Sequence, residues 1–561
     1  MTTLLIKSLL TSLYQREDLY PSLAKRGKGR FSELWKFNFE TLNNNLYFSV
    51  LVLILLFISI GCASVREYTG STGAGGGQIS VYLKGADKVS TDITFDLQAV
   101  NIITEDGTVK EITINPMKVN SVSVAGRQLL LSEQTLPEGK YKRLQLIVKQ
   151  ASVKNQERTA ALALPPEGIE SAIDVNISRN ANTSVFLFWN ADSSIGDGYL
   201  FNPVLTVTGQ VPELSNLLVY VTNEESNNVS VLNRQTGDAV AAVMVGKKPR
   251  GIAVSRRRER PRVYVANSDS DSISVIDPTT NKVEVEIPIR FGRAPEGITV
   301  VRISPDRELI FTANYASDNV SVIDASTYQE IDKINTGDGP VAITADPPAD
   351  LLSGSRFMNF EDLNVLRNYR ERFFNVYTAN KNSKDVSVIK MNATANRLEK
   401  VFQVSVQWGP ITLAADDQRG KVYVGNYNYD NLSVLDMAQI ARGYESGVVG
   451  EIINVGSSVT GIIADPDLDR IYLLKEASSE IMVIRPFSEV FGTIKNSMGP
   501  VIGTIAVGNS PRSFIMDPEG RKLYVVNRGS DSVSVVDKTT SREEKVIPVG
   551  KKPYGIAMFP Y

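Results

Sequence analysis

Apolar and polar residues alternate with a period of two in short runs that begin near Gln78. Examples in the first third of the chain are ISVYLKG, RLQLIVKQASV and TSVFLFW, separated by clusters of Gly, Pro and Asn. This pattern is typical of half-buried strands joined by turns. We therefore predict an all-β chain with a β-sandwich over residues 78–213, in which Leu136–Tyr141 forms a tight turn between antiparallel strands.

A repeat covers residues 214–561. Each unit contains a glycine-proline turn with an apolar run, a strand resembling YVTN, a polar turn leading to a VSVID strand, and one further strand. The YVTN-like strands are separated by 44, 47, 66, 46, 49 and 52 residues. A four-stranded propeller blade needs about 40 to 50 residues, so the seven copies predict a seven-bladed β-propeller. The copies begin at Tyr220, Tyr264, Phe311, Tyr377, Tyr423, Tyr472 and Tyr524.

The two ends of the repeat region are complementary. The first copy starts at YVTN without a preceding glycine-proline strand, and the chain ends in GKKPYGIAMFPY without a following YVTN strand. We therefore expect Gly555–Phe559 to pair with Leu218–Asn223 and close the ring, which leaves only short strand edges exposed.

The interval of 66 residues contains a surplus near residues 350–372. Apolar side chains recur there every three or four positions, which predicts a short amphipathic helix inserted between two strands of one blade. Its apolar stripe either covers the flank of its own blade or binds a partner. The stripe consists of Phe357, Phe360, Leu363, Leu366, Tyr369 and Phe373.

Two family resemblances follow from these motifs. The seven strands resemble the YVTN β-propeller repeat family. The segments GGQISVYLKGA, LPEGKYKRLQLIV and VFLFWNADSSI, with FNPVLTVTG, resemble the bacterial lipoprotein domain called domain of unknown function family 4382. The second resemblance implies a transthyretin-like sandwich in the cell envelope and no particular activity.

An export signal is predicted at the N-terminus. Residues 47–61, YFSVLVLILLFISIG, are too few for a comfortable membrane span and match the apolar region of a signal peptide. Ser59-Ile60-Gly61-Cys62 resembles a bacterial lipobox, which implies that Cys62 is lipidated and attaches the protein to a membrane. A plain signal peptide or an uncleaved anchor is the alternative. We expect a leader over 1–62, a Gly/Ser-rich linker over 63–77, and a lipoprotein of the periplasm, outer membrane or cell surface.

Composition removes several function classes. The chain has no histidine and one cysteine, which excludes histidine-based catalysis, histidine metal sites and intrachain disulfides. The 60 basic and 62 acidic residues nearly balance, so nothing indicates binding of nucleic acid. The aspartate groups lack the spacing of a calcium loop. We predict no catalytic residue, metal or cofactor.

The candidate binding surface is the face of the propeller formed by the loops that enter the innermost strands. Cations there suggest a basic rim for a protein or a polyanion such as an acidic polysaccharide, with a simple solvated rim as the alternative. The rim consists of Lys247, Lys248, Arg250, Arg293, Arg512, Lys551 and Lys552. A second set ends the YVTN strands and is expected to satisfy turn backbone groups. That set is Asn223, Asn267, Asn314, Asn380, Asn426 and Asn527.

The function predicted from these features is that of a non-enzymatic binding or scaffold protein anchored in the envelope. One alternative, implied by the resemblance to YVTN-type propellers, is an enzyme or redox accessory such as a histidine-independent lactonase or a quinoprotein. The other is a surface-layer or adhesion component.

Overall fold

A computed structural model of the protein describes residues 76–155, 158–166, 168–179, 181–209, 214–346, 355, 357–395, 397–452, 454–486 and 501–561. Cys62, the predicted leader and the linker up to residue 75 lie outside these residues. The chain divides into two compact units, Met1–Val65 and Arg66–Tyr561, and all that follows concerns the second. In the described ranges, no helix combines the length and apolar character needed to cross a membrane.

The N-terminal part of this unit contains two large sheets and a small two-stranded sheet of β10 and β11, and we call it the two-sheet domain after the large ones. One has the order β12-β9-β1-β5, and the other has the order β3-β2-β6-β7 with β4 paired to β2 and β8 paired to β6. β1 and β9 run parallel. The strands are β1 (Gly76–Gly85), β2 (Asp92–Thr104), β3 (Val109–Ile112), β4 (Met117–Asn120), β5 (Gln128–Pro137), β6 (Gly139–Asn155), β7 (Arg158–Leu162), β8 (Ile169–Ile177), β9 (Asn182–Asn190), β10 (Ile195–Gly196), β11 (Leu200–Phe201) and β12 (Val204–Thr208).

A single hydrophobic core joins these two sheets. Alternate residues of β1, among them Val81, pack in one cluster with Phe95 of β2 and Leu144 of β6. Trp189 of β9 lies edge-on to Phe95 with ring centroids 5.1 Å apart. The period-two alternation of the sequence is therefore explained, because every second side chain enters this shared core.

The prediction that Leu136–Tyr141 forms a tight turn between paired strands was wrong. β5 ends at Pro137 in the sheet of β1, whereas β6 begins at Gly139 in the other sheet. The buried Tyr141 ring enters the shared core, and its hydroxyl donates to the Pro137 carbonyl at 3.0 Å. The chain therefore crosses between the sheets at this corner.

From Leu218 onward, the described strands form seven antiparallel sheets of four strands. The first sheet consists of β13 (Leu218–Asn223), β14 (Asn228–Asn233), β15 (Asp238–Met244) and the last strand of the chain, β40 (Pro553–Met558). The second and third consist of β16 (Pro249–Val254), β17 (Val263–Asn267), β18 (Ser272–Asp277) and β19 (Lys282–Pro288), then β20 (Pro295–Ser304), β21 (Arg307–Asn314), β22 (Asn319–Asp324) and β23 (Gln329–Asn335).

The remaining four sheets follow in chain order. They are β24 (Pro340–Ala345), β25 (Phe373–Asn380), β26 (Asp385–Asn392) and β27 (Arg397–Ser405), then β28 (Pro410–Asp416), β29 (Lys421–Asn426), β30 (Leu432–Asp436) and β31 (Val449–Ile452). The last two are β32 (Val459–Asp465), β33 (Arg470–Lys475), β34 (Glu480–Ile484) and β35 (Val501–Ala506), then β36 (Pro511–Met516), β37 (Lys522–Asn527), β38 (Ser532–Asp537) and β39 (Arg542–Pro548). The prediction of an all-β chain is confirmed.

The sheets are arranged around an axis. β40 pairs antiparallel with β13, so that Val219 lies opposite Met558 and Val221 opposite Ile556. The innermost strands contact one another in the order β40, β16, β20, β24, β28, β32, β36, and β36 contacts β40 again. This cycle of contacts gives the chain a propeller-like fold.

Glycine in the inner strands permits this close contact. A Cβ atom on Gly555 would lie 2.3 Å from the Arg250 carbonyl oxygen, and one on Gly251 would lie 2.4 Å from the Glu296 carbonyl oxygen. No side chain fits at such a distance from a neighbouring backbone. Glycine is therefore required by packing in β40 and β16, whereas β24, β28 and β36 carry Ala342, Thr412 and Ser513 at the same position.

Two α-helices interrupt the sheets, and short 3₁₀ turns occur at Ala191–Ser193 and Ser215–Leu217. Helix α1 (Phe360–Arg370) lies between β24 and β25, and the side chain of Asn359 caps it by accepting from the Asp362 amide. Helix α2 (Met437–Ala441) lies between β30 and β31 and contacts α1. Leu366 of α1 and the buried side chains of α2 join one hydrophobic cluster with the neighbouring strands. The stripe of α1 therefore covers the sheets beneath it, while Phe360 at its start remains 76% exposed.

The two-sheet domain covers the outer edge of the first propeller sheet. β15 has the sequence DAVAAVM and is buried on both faces, whereas the outer strand β39 has the sequence REEKVIP and is mostly exposed. Charged side chains protect an exposed strand edge from association, and a covered edge does not need them. The Gln128 amide bonds both backbone groups of Ala239 at 2.8 and 3.2 Å, and Lys84 pairs with Asp238 at 2.8 Å.

Removal of residues 550–561 deletes β40 and exposes the edge of β13. Because Ile556, Met558 and Phe559 are buried, we expect the thermal unfolding midpoint to fall by about 10 °C or more. Differential scanning calorimetry measures this change. A synthetic peptide of residues 549–561 should restore part of the loss, and a scrambled peptide should not. An unchanged midpoint in the truncated chain contradicts the role assigned to β40.

Candidate functional site

Two loops of each propeller sheet meet on one face, which we call the axial face. The residue after each YVTN-like strand bonds through its backbone to the loop that enters the innermost strand. For example, the Ser268 amide donates to the Lys248 carbonyl at 3.0 Å, and the Glu224 amide donates to the Lys552 carbonyl at 3.0 Å. The predicted rim residues lie in or next to these loops.

The asparagines that end the YVTN strands are buried beneath this face. Each Nδ2 group donates to the hydroxyl of the serine seven residues later, at 2.7 to 3.0 Å. The glycine of the entering loop packs on the amide, because a Cβ at Gly246 would lie 2.6 Å from the Asn267 side chain. These amide donors therefore hold strands and loops together and do not face a ligand. The residues are Asn223, Asn267, Asn314, Asn380, Asn426 and Asn527.

The lysine loops have an ordered backbone. The Lys247 amide donates to Ser270 Oγ at 2.7 Å, and the Lys551 amide donates to Ser226 Oγ at 2.8 Å. Lys248 and Lys552 adopt left-handed backbone angles, with φ of 54° and 53°. Because the backbone is held in place, binding of a ligand would order only the side chains.

All seven predicted rim cations lie on four neighbouring sheets. Their innermost strands are β36, β40, β16 and β20, which follow one another around the ring. We call this part of the axial face the cationic sector. The positions equivalent to Lys247 on the sheets of β24 and β28 are Asp338 and Trp408. Trp408 is 57% exposed, and Lys384 lies over its ring at 3.4 Å. The face is therefore cationic on one side and aromatic on another.

The inner part of the cationic sector contains a charge-compensated group, the axial cluster, formed by Glu224, Arg250, Glu296, Arg512, Arg528 and Tyr554. Glu224 pairs with Arg250 at 2.9 Å and with Arg528 at 2.9 Å, and Arg250 also pairs with Glu296. Arg512 donates to the Tyr554 hydroxyl at 2.6 Å. The guanidinium groups of Arg512 and Arg250 lie 4.4 and 5.1 Å from the centroid of the Tyr554 ring.

These pairs keep the inner arginines occupied. Burial alone would raise the pKa of Glu224, but the hydrogen bonds and charges of Arg250 and Arg528 outweigh it and hold the pKa below its ordinary value. The Glu224 carboxylate is therefore ionised at neutral pH. Arg250 and Arg512 are thus partly buried members of a network and not freely available cations.

The outer cations of the sector differ from the inner ones. Lys248 lies 3.4 Å from Asp269 in an exposed pair. The other outer cations are exposed, and within the described part of the chain no ion pair involves them. They are Lys247, Arg293, Lys551 and Lys552. A surface of like charges on ordered loops attracts anions of matching spacing.

Sequence reasoning missed Glu224, Glu296, Arg528 and Tyr554. Each directly follows the repeat asparagine or the repeat proline, where the fold requires no particular side chain. The residues after the corresponding prolines of β24 and β28 are the apolar Val341 and Ile411. A position-by-position comparison of the seven repeats would have shown that charges gather in these two places on neighbouring sheets.

The degraded copy YLLK places a lysine where the other copies have asparagine. Lys475 is buried, and its ammonium group donates to the Val455 carbonyl at 2.8 Å. Met482 occupies the position of the serine that accepts from asparagine in the other sheets. Burial lowers the pKa of Lys475 to about 8.

No family model matches this chain, and no curated protein matches it. Similar solved structures include the hydrazine synthase of Kuenenia stuttgartiensis, at 17% identity over 58% of this chain and 93% of that chain, with a TM-score of 0.45. A protein of unknown function from Desulfotomaculum acetoxidans matches at 13% identity over 61% and 98%, with a TM-score of 0.47. A protein from Lactobacillus plantarum matches at 14% identity over 60% and 98%, with a TM-score of 0.43.

These likenesses carry no argument about function, because every identity is below 25% and every TM-score is below 0.5. The class of the protein follows from its own geometry. The chain is an all-β protein with a propeller-like arrangement of four-stranded sheets and a charged cluster at the axis.

Lys475 provides a test of the electrostatics of this face. Its pKa is about 8 in the folded chain against an ordinary value of 10.5, so the unfolded chain binds more protons between pH 8 and 10.5. Folding stability contributed by this group therefore rises with pH in that window. As the pH rises from 8 to 10.5, the free energy of unfolding of the native protein should increase by up to about 3 kcal/mol relative to that of Lys475→Met.

Urea unfolding at several pH values measures this difference, with Lys282→Met on an exposed outer strand as the control. The native protein and the control should change in parallel. If the difference between the native protein and Lys475→Met stays constant over the same window, the Lys475 ammonium group is not destabilised by burial.

Proposed function

We propose that this chain is a non-enzymatic binding or scaffold protein of the cell envelope. In this proposal a closed seven-bladed propeller of the YVTN type binds a polyanionic ligand, either an acidic polysaccharide or an acidic protein surface, through its cationic sector. A transthyretin-like sandwich and a lipidated Cys62 connect the propeller to the membrane. The observation that carries the proposal is a set of exposed cations on ordered loops of three neighbouring sheets, of which Lys247, Arg293, Lys551 and Lys552 form no salt bridge among the described residues.

The chemistry of this set suits an extended anion. Lys247, Arg293 and Lys551 occupy the same repeat position on consecutive sheets, so their side chains follow the curve of the ring. Ammonium and guanidinium groups bind carboxylate and sulfate oxygens through charge-assisted hydrogen bonds. Several such contacts in one row favour a ligand with repeated negative charges over a single small anion.

The axial cluster supports a positioning role beside these cations. Removing charged groups from water is costly, and the fold does not require charge at these positions, because other sheets carry apolar residues there. Arg512 and Arg528 are held by Tyr554 and Glu224, so they order the centre of the face and leave contact with the ligand to the outer cations. Glu224 and Glu296 offset the charge of the inner arginines and so limit the net positive charge of the sector. Ligands whose negative charges match the positions of the outer cations would be favoured.

The covered edge of β15 supports the role given to the N-terminal domain. The sheet of β1 in this domain is fixed to the first propeller sheet by Gln128 and Lys84. Tyr82 and Phe186 of the same sheet stack 5.1 Å apart and share a hydrophobic cluster with Val219. Because the domain is docked on the propeller, anchoring the domain at the membrane also holds the propeller there. In the proposed arrangement the Gly/Ser-rich segment predicted over 63–77 joins this docked domain to the membrane anchor.

Loss of the outer cations should weaken polyanion binding. The variant with Lys247, Lys248, Arg293, Lys551 and Lys552 all changed to Gln keeps the side chains long but removes five charges. We expect its affinity for dextran sulfate or polygalacturonate to fall roughly tenfold or more at low salt, because each exposed contact contributes about 0.2 to 1 kcal/mol. Biolayer interferometry at two salt concentrations measures the change.

A matched variant with Lys118, Lys149, Lys154, Lys282 and Lys333 changed to Gln removes the same charge from exposed positions elsewhere. It should bind like the native protein, and neutral dextran should bind to neither. Equal losses in both variants would mean that only net charge matters and would overturn the assignment to the cationic sector. Lactone hydrolysis by the purified chain would contradict the non-enzymatic part of the proposal.

Membrane attachment depends on Cys62 in this proposal. Cys62→Ser should abolish incorporation of labelled palmitate and release the protein from the membrane fraction of a bacterial host. Mass spectrometry of the mature N-terminus provides the direct measurement. Palmitate labelling that survives the substitution would remove the lipoprotein assignment but leave the binding face unaffected.

A further inference from the structure

A second candidate site lies on the face opposite the axial face. A cavity of about 230 Å³ opens between the sheets of β20 and β24. β20 runs away from the axial face, and its final residues form one wall, while the ends of β24 and the start of β25 form the other. The polyanion site proposed above does not include any of these residues.

The walls of this cavity are polar and apolar in similar measure. Val301 and Ile303 of β20 contribute apolar groups together with Phe374 of β25, with which they share one hydrophobic cluster. A water molecule occupies about 30 Å³ in the liquid, so the space equals roughly seven or eight waters and suits a ligand smaller than a typical drug. The apolar part of the wall favours a ligand with a short aliphatic body over a bare inorganic ion.

Two of the arginines that line this cavity are exposed. They are Arg256 and Arg302, and within the described residues no salt bridge involves either side chain. The backbone that carries Arg256 is fixed, because the buried Glu308 accepts from the Arg256 amide at 2.7 Å and from the Ser255 hydroxyl at 2.6 Å. Arg302 lies on β20 directly opposite Glu308 of β21.

The third arginine of the cavity, Arg370, is already compensated. Its side chain is only 2% exposed, and it lies 2.8 Å from Asp417 and 3.8 Å from Asp346. Asp346 also accepts from the Asn375 amide at 2.8 Å and from the Tyr377 hydroxyl at 2.9 Å. The attraction for a ligand anion is therefore set by Arg256 and Arg302.

We propose that this cavity binds a small organic carboxylate whose short aliphatic chain lies against the walls of β20 and β25. Its carboxylate is held by Arg256 and Arg302, whose planar guanidinium groups present paired donors to the two oxygens. Arg370 of α1 and Phe373 at the start of β25 complete the wall on the side of β24.

Titration of the purified full chain with butanoate, pentanoate and hexanoate tests the proposal, with hexanol and inorganic phosphate as comparison probes. Each added methylene should tighten binding about fourfold until the cavity is filled. Arg256→Ala combined with Arg302→Ala should weaken hexanoate binding about tenfold or more and leave hexanol binding unchanged. Ligand-observed NMR and calorimetry measure these affinities.

Arg127→Ala combined with Arg179→Ala removes the same charge from exposed residues of the two-sheet domain and should leave hexanoate binding unaltered. Equal hexanoate binding by the native protein and the Arg256/Arg302 variant would overturn the site. Phosphate binding as tight as hexanoate binding would overturn the role of the apolar walls. Absence of hexanoate binding at tens of millimolar would overturn the proposal altogether.

Discussion

The pairing of β40 with β13 is the interaction on which the rest of the molecule depends. It joins the last strand of the chain to the first strand of the repeat region, across more than 300 residues of sequence. The axial cluster lies on this seam, because Glu224 follows β13, Tyr554 lies in β40, and Arg250 and Arg512 belong to the two adjoining inner strands. Strand pairing and the assembly of the candidate site are therefore one event.

Strand edges impose the second constraint. β13 would present an unpaired edge without β40, and β15 would present a largely apolar edge without the two-sheet domain. Both edges belong to the same sheet, so that sheet is the point where the ends of the repeat and the N-terminal domain meet. The lysines of the cationic sector lie next to this junction, and the buried Glu133 of the two-sheet domain accepts from Asn228 at 3.0 Å there. Burial raises the pKa of Glu133, so its contact couples this junction to protonation.

Local pattern carries much of the fold in this sequence. Alternation places Tyr220 and its equivalents in strands, and turns rich in glycine and proline precede the innermost strands. At Gly555 only glycine permits the contact with the neighbouring strand. The alternating pattern does not predict the parallel pairing of β1 with β9 or the crossing between sheets at Tyr141. Both depend on packing in the shared core, which local sequence does not reveal. The pairing of Glu224 with Arg528 was equally hidden, because residues 304 positions apart meet only when the ring forms. The turn motifs predict where the cations lie. Which of them are paired inside the axial cluster and which are exposed depends on the positions of the carboxylates, which the turn motifs do not show.

Hydrogen-deuterium exchange of the native chain, resolved by peptide, is the sharpest test of the proposed ring closure. We expect the amides of β40 and β13 to exchange as slowly as those of the inner strands β20 and β28, because β40 and β13 are paired with each other. Fast exchange of β40, at the rate of an exposed terminal segment, together with slow exchange of β20 and β28, would disprove closure through this pair.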